Sequence, residues 1–135
     1  MSRLRSYCGL SAFFVSALCL TGTALAATPN ELLADYTRSS ATKAEPERGR
    51  LFFTNRHGQD WACASCHGAT PADTGKHAVT GKQIRPLAPA FNPERFTNPA
   101  KVEKWFRRNC NDVVGRECSA AEKADVIAWL LTLKP

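Results

Sequence analysis

Cys63-Ala64-Ser65-Cys66-His67 is the stretch on which the reading of this chain turns. Two cysteines three positions apart, followed at once by a histidine, make the spacing for covalent haem attachment. The reason is mechanical. Both sulfurs reach the two vinyl groups on one edge of a porphyrin, and the next side chain swings under the iron. Five residues thereby set the orientation of the ring and one axial bond, and His67 is the expected proximal ligand. The only methionine in the chain is Met1, so the commonest partner for that histidine is missing. What stands on the other side of the iron decides what the protein does.

Six cysteines occur, at positions 8, 19, 63, 66, 110 and 118. Residues 1–26 read as a secretory signal peptide: Arg3 and Arg5 form a basic start, Leu10 to Leu20 is largely apolar, and Ala24-Leu25-Ala26 is a small-x-small cleavage site. An apolar run of about 12–14 residues is short for a membrane span. A lipid anchor at Cys19 wants a small residue beside the cysteine, and Leu18 stands there. Cleavage after Ala26 removes Cys8 and Cys19 and delivers the chain to the periplasm, an oxidising compartment in which disulfides persist. With Cys63 and Cys66 taken by haem, Cys110 and Cys118 are expected to bond to each other. The loop they close is short, so the chain-entropy gain is only about 2.5 kcal/mol.

Residues 27–135 are one domain by size, a monohaem domain for which the haem itself supplies much of the apolar core. Two of the 18 basic residues and none of the 12 acidic ones lie in the leader, which lowers the formal charge of +6 by two. A modest charge spread along the chain gives no reason to expect nucleic-acid binding. No repeat or second apolar stretch appears, so no membrane association is expected once the leader is gone.

A first helix is predicted from Thr28-Pro29-Asn30-Glu31, a capping box with proline in the first turn, and Leu32, Leu33 and Tyr36 form its apolar side. Ser39-Ser40-Ala41-Thr42 reads as a linker. A second helix is expected over Pro46 to Thr54, with Gly49 and Phe53 on one face and Phe52 beside them. From Gly68 to Pro99, glycines and prolines leave no room for a long helix or a regular sheet. Asn98-Pro99 opens a third helix, and the capping box Ser119-Ala120-Ala121-Glu122 opens a last one bearing Val126, Ile127, Trp129, Leu130, Leu131 and Leu133. A glycine/aromatic helix before the haem motif and an aromatic-bearing helix at the C-terminus resemble class I cytochrome c. That resemblance implies an all-α fold around one covalently attached haem c, here with an extra N-terminal helix, and Gly49 and Phe53 meeting Trp129 and Leu130.

The third helix, read as Pro99 to about Asn109, carries Val102, Trp105 and Phe106 at i, i+3 and i+4. The next position on that stripe is Asn109. A carboxamide on a core-facing stripe needs a partner, or its burial costs roughly 1–3 kcal/mol. The haem iron is one candidate partner, and a helix C-cap is the other common use of asparagine. His57 and His77 are rival ligands for the sixth position, and each is also an ordinary loop histidine. Lysine ligation has no local argument in its favour.

The segment Asn109-Cys110-Asn111-Asp112-Val113-Val114-Gly115-Arg116-Glu117-Cys118 resembles the sphaeroides haem protein (SHP) family. So do Arg48-Gly49-Arg50, Cys63-x-x-Cys66-His67-Gly68, Thr80-Gly81-Lys82, Pro86-Leu87-Ala88-Pro89, Arg95-Phe96-Thr97 and Val102-Glu103-Lys104-Trp105. The resemblance implies that His67 is the proximal and Asn109 the distal iron ligand, with a Cys110–Cys118 disulfide alongside. It implies a high-spin iron whose asparagine leaves on reduction, opening a site for oxygen, nitric oxide and similar small ligands. It also implies a dihaem cytochrome c as electron donor. An amide is a weak, hard ligand better suited to ferric than to ferrous iron, which gives that behaviour a chemical basis.

Lys101, Lys104, Arg107 and Arg108 form either a solvated helix face or a docking patch for an acidic redox partner. Lys82, Arg85 and Arg116 are candidate partners for the haem propionates, and a carbonyl of the 86–89 loop is a candidate acceptor for the His67 ring N–H. The rival function is a plain six-coordinate electron carrier. Zinc on four cysteines would leave His67 unexplained, and no distal acid–base group supports enzymatic turnover.

Overall fold

The computed structural model describes residues 26–58 and 60–135; the expected leader, apart from Ala26, lies outside the described residues. Helix α1 (Pro29–Ser40) starts as predicted. Thr28 caps it by accepting from Glu31 N, the Glu31 carboxylate takes the Thr28 N–H at 2.7 Å, and Ala41 in the left-handed region ends it. Helix α2 (Pro46–Thr54), the short α3 (Ala64–His67), α4 (Pro99–Val114) and α5 (Ala120–Thr132) follow. Between α3 and α4 the turn-rich stretch holds one two-residue antiparallel ladder, β1 (Gly75–Lys76) on β2 (Gln83–Ile84), pairing Gly75 with Ile84 and Lys76 with Gln83. Otherwise the fold is all-α, as expected.

Helix α5 is the hub. Every residue from Lys123 to Leu130 is buried, because α1 and α2 both pack on it. The core gathers Leu32 of α1, Phe53 of α2, Phe96, and Val126, Ile127, Trp129 and Leu130 of α5. Phe53 meets Trp129 with ring centroids 5.0 Å apart, as the sequence predicts. Gly49 crosses α5 one turn earlier than expected, against the backbone of Asp125 and Val126. A helix crossing places successive turns of one helix against successive turns of the other, so Phe53 on Trp129 puts Gly49 on residue 125.

The start of α2 is held by a residue remote in sequence. Glu45, its N-cap residue, makes no side-chain cap. Instead the buried Asp125 carboxylate accepts from Glu45 N at 2.7 Å and from Arg48, whose Nη2 lies 2.8 Å away and whose Nε bonds the second oxygen. Asp125 is 3% exposed and Arg48 54%, so removing the acid strands a group that water can still reach. Asp125→Ala is expected to destabilise the protein by about 2–3 kcal/mol, read from guanidinium unfolding. A midpoint equal to that of the wild type would show that α2 needs no anchor on α5.

Helix α4 runs to Val114, five residues beyond the expected end at Asn109. Gly115, left-handed at φ 77°, terminates it by donating to Cys110 O at 3.1 Å. Asn109 is therefore not a C-cap. The Cys110–Cys118 disulfide is present and ties the last turns of α4 to the residue before the Ser119 cap of α5. Toward its start, Glu103 accepts from Tyr36 Oη at 2.8 Å and from Lys123 Nζ at 2.6 Å, linking α4 to α1 and α5.

Candidate haem-binding site

The five-residue motif folds as one tight turn of helix. His67 N donates to Cys63 O at 3.1 Å, Gly68 N to Ala64 O at 2.9 Å, and the Ser65 hydroxyl caps Ala62 N at 3.0 Å. Gly68, at φ 78°, then turns the chain away. Gly75 of β1 lies so close under the motif that a Cβ there would come 2.3 Å from Cys66 O. The ladder thus backs the motif from behind, and Ala78 N donates to Cys66 Sγ at 3.3 Å.

Cys63, Cys66 and His67 open on a cavity of about 1160 Å³. Phe53 of α2, Val126 and Leu130 of α5, segments 77–85 and 94–98, and one face of α4 complete its wall. Neither Cys63 nor Cys66 is in a disulfide. Burial pushes the Cys63 thiol up to about 11, and burial with the nearby Arg95 charge pushes His67 down to about 4. His67 is therefore a neutral imidazole at pH 7 with a lone pair to donate, and among the described residues its ring has no hydrogen-bond partner. Two thiols and an unpartnered neutral imidazole on the wall of a cavity of this size, lined by aromatic and aliphatic side chains, fit a covalently attached haem.

The stripe read from α4 faces this cavity. Val102, Trp105, Phe106 and Asn109 all line it. The Asn109 side chain is exposed to it, with no hydrogen-bond partner among the described residues. Cys110 and Cys118 line it as well. Of the two rival histidines, His57 lies away from the cavity and His77 on its wall. His57 bonds Phe52 O at 2.5 Å, packs at a tilt against the Phe52 ring with centroids 4.4 Å apart and does not line the cavity. His77 lines the cavity, but its Nδ1 accepts from Val79 N and Thr80 N in a turn held next to Cys66, on the side of the motif.

A family model described as a domain of unknown function (DUF1924) matches residues 39–130. Cytochrome c-type protein SHP of Cereibacter sphaeroides is 44% identical over 127 residues, covering 90% of this chain and 98% of that protein. The chain belongs to the SHP family of c-type cytochromes. Cytochrome c'' of Methylophilus methylotrophus is 51% identical over 88 residues, covering 62% of this chain and 61% of that protein. The solved structure of oxidised SHP, described as an oxygen-binding cytochrome c, superposes with a TM-score of 0.74 at 44% identity, covering 78% of this chain and 97% of that one. Oxidised cytochrome c'' superposes at 0.70 and 43% identity, covering 79% and 95%; its solution structure is reported for the basis of haem-ligand detachment. Like these SHP-family proteins, the chain is a cytochrome c-like helical protein with a covalently bound haem.

Within this SHP-family frame some expectations about the haem surroundings change. Arg116 is engaged by Glu122 at 2.6 and 2.8 Å and does not line the cavity. Arg85 lines it but is paired with Glu94 at 2.7 Å. Of the 86–89 loop carbonyls considered for the His67 ring, Pro86 O accepts from Asn92 Nδ2 at 3.1 Å and Arg95 Nε at 2.8 Å. Of the basic residues on α4, Lys101 and Arg108 reach the cavity, and Arg108 lies over the Trp105 ring at 5.6 Å. Trp61 and Arg95 also line it. Sequence reading assigned neither a role, because nothing local marks a loop tryptophan or a loop arginine as facing one ligand.

Proposed function

We propose that this SHP-family protein is a periplasmic cytochrome that accepts an electron and, once reduced, releases Asn109 so that a small ligand such as oxygen or nitric oxide can bind. The haem supplies a redox-active iron that takes diatomic ligands when reduced and five-coordinate. The observation that carries the reading is the placement of Asn109. It lies on the cavity that His67 lines, on a different helix, with a carboxamide that no other group of the described protein holds. His67 serves as the proximal ligand. Asn109 serves as a weak distal one that ferric iron tolerates and ferrous iron does not retain. The likeness to an oxygen-binding cytochrome c and to a cytochrome in which a haem ligand detaches supports the same behaviour.

The leader pattern and the Cys110–Cys118 bond support export to the periplasm. No helix among the described residues is long and apolar enough to cross a membrane. Lys101, Lys104, Arg107 and Arg108 on α4 give an acidic redox partner, such as a dihaem cytochrome c, a surface on which encounter is steered toward the haem.

The optical spectrum of the dithionite-reduced protein, with and without carbon monoxide, tests the proposal. A high-spin ferrous spectrum that shifts on adding carbon monoxide is expected. A six-coordinate low-spin ferrous form indifferent to carbon monoxide would instead identify a plain electron carrier.

A further inference from the structure

Five cationic side chains line the haem cavity: Lys82, Arg85, Arg95, Lys101 and Arg108. Four of them are exposed to solvent, and Arg95 alone is half-buried. Its guanidinium is held in place without being neutralised. Nε donates to Pro86 O at 2.8 Å and Nη2 to Arg85 O at 2.7 Å, while Nη1 has no partner among the described residues. The adjacent carboxylate, Glu94, is taken by Arg85. Burial and the Arg85 charge both work against protonation of Arg95, and the Glu94 charge offsets them only in part. A partly desolvated cation to which no carboxylate is bonded is unfavourable unless an anion arrives to pair with it.

The backbone here is itself shaped for that arrangement. Phe96 adopts φ 60°, in the left-handed region that an aromatic residue rarely occupies, and Ala41 is the only other such non-glycine residue described. The Phe96 ring is buried in the core cluster while Arg95, one residue earlier, stands on the cavity wall. Strain of this kind persists only where the surroundings hold it in place. The group that fills the cavity is a haem c, whose two propionates are the anions it brings. A guanidinium fixed by two carbonyls presents its remaining donors in the fork that matches a carboxylate.

We propose that Arg95 is the cation that receives a haem propionate, and that this pairing keeps the reduction potential up. An unpaired propionate stabilises ferric over ferrous iron by its negative charge, and the Arg95 charge offsets it. Because the haem is covalently attached, losing this pair should alter the electronics without losing the cofactor.

Arg95→Gln and Arg95→Lys, with Lys134→Gln as the control, test the assignment. The readouts are spectropotentiometry and the propionate-bending bands in resonance Raman spectra. Arg95→Gln is expected to shift the potential downward and displace those bands. Arg95→Lys should return the potential toward the wild-type value while the bands stay displaced, since an ammonium replaces the fork. Lys134→Gln, which removes an exposed charge away from the cavity, should change neither. A folded Arg95→Gln protein with unchanged potential and bands overturns the proposal. So does an Arg95→Lys potential displaced as far as that of Arg95→Gln, which would leave Arg95 as a loop brace only. If Arg95→Gln does not fold, the Arg95→Lys bands decide: unchanged bands reject the pairing.

Discussion

Gly49→Ala is expected to cost the protein most of its stability, about 3 kcal/mol or more. A Cβ at position 49 would sit 2.0 Å from Asp125 O and 2.8 Å from Val126 N. Both are backbone atoms inside a helix, so no side-chain rotation relieves the overlap, and α2 must move away from α5. That movement opens the Phe53–Trp129 contact and weakens the Asp125 anchor of α2 in the same step. Glycine is required here for space, since its backbone is ordinary helix. Far-UV circular dichroism during guanidinium unfolding checks the expectation. A variant that unfolds with the wild-type midpoint would mean that the helices do not cross at this residue.

Asn109→Ala is expected to leave the haem attached and to convert the ferric spectrum to that of a five-coordinate or water-ligated iron. The proposed attachment through Cys63 and Cys66 and the proposed ligation by His67 do not involve α4, so the haem should stay attached. Alanine keeps the helix and removes only the carboxamide. Carbon monoxide binding to the ferrous form should stay near that of the parent, because Asn109 is proposed to have left by then. Asn109→His makes the complementary test. A stronger ligand that stays on after reduction should weaken carbon monoxide binding at least about tenfold, equivalent to 1.4 kcal/mol of competition. An unchanged ferric spectrum in Asn109→Ala would remove Asn109 from the distal position.

The two substitutions differ in how visible they are in the sequence. Asn109 was found by counting along one helix: Val102, Trp105 and Phe106 define a face, and the next position on it is polar. That inference is local and needs only a period of 3.6 residues. It placed the residue on the correct face while missing the length of the helix, because Gly115, not Asn109, ends α4. Gly49 was legible as a crossing residue, but its partner was assigned one turn off. Which turn of α5 it meets depends on the crossing angle and on the size of Phe53 and Trp129, and neither is written in the spacing of one helix.

The cations show the same limit more sharply. Lys82, Arg85 and Arg116 were equivalent as sequence. In the fold Arg116 belongs to Glu122, Arg85 to Glu94, and an arginine without a sequence signal stands half-buried on the cavity wall. Charge pairing is set by distances between residues that the chain brings together only after folding.

By itself, then, the sequence determined the covalent chemistry. Cys63, Cys66 and His67 are brought together by a spacing of five residues, Met1 is the single methionine of the chain, and helix caps such as Thr28 with Glu31 and Ser119 with Glu122 are closed within one turn. Each of these is a short-range relation, satisfied by bond lengths and one turn of backbone. The tertiary structure decided what meets across the molecule: Gly49 on Asp125, the Asp125 carboxylate at the start of α2, the α4 face turned to the cavity, and Arg95 left without a counter-ion at its wall. Those relations rest on packing and on the exclusion of water, which exist only once α1 and α2 have closed on α5.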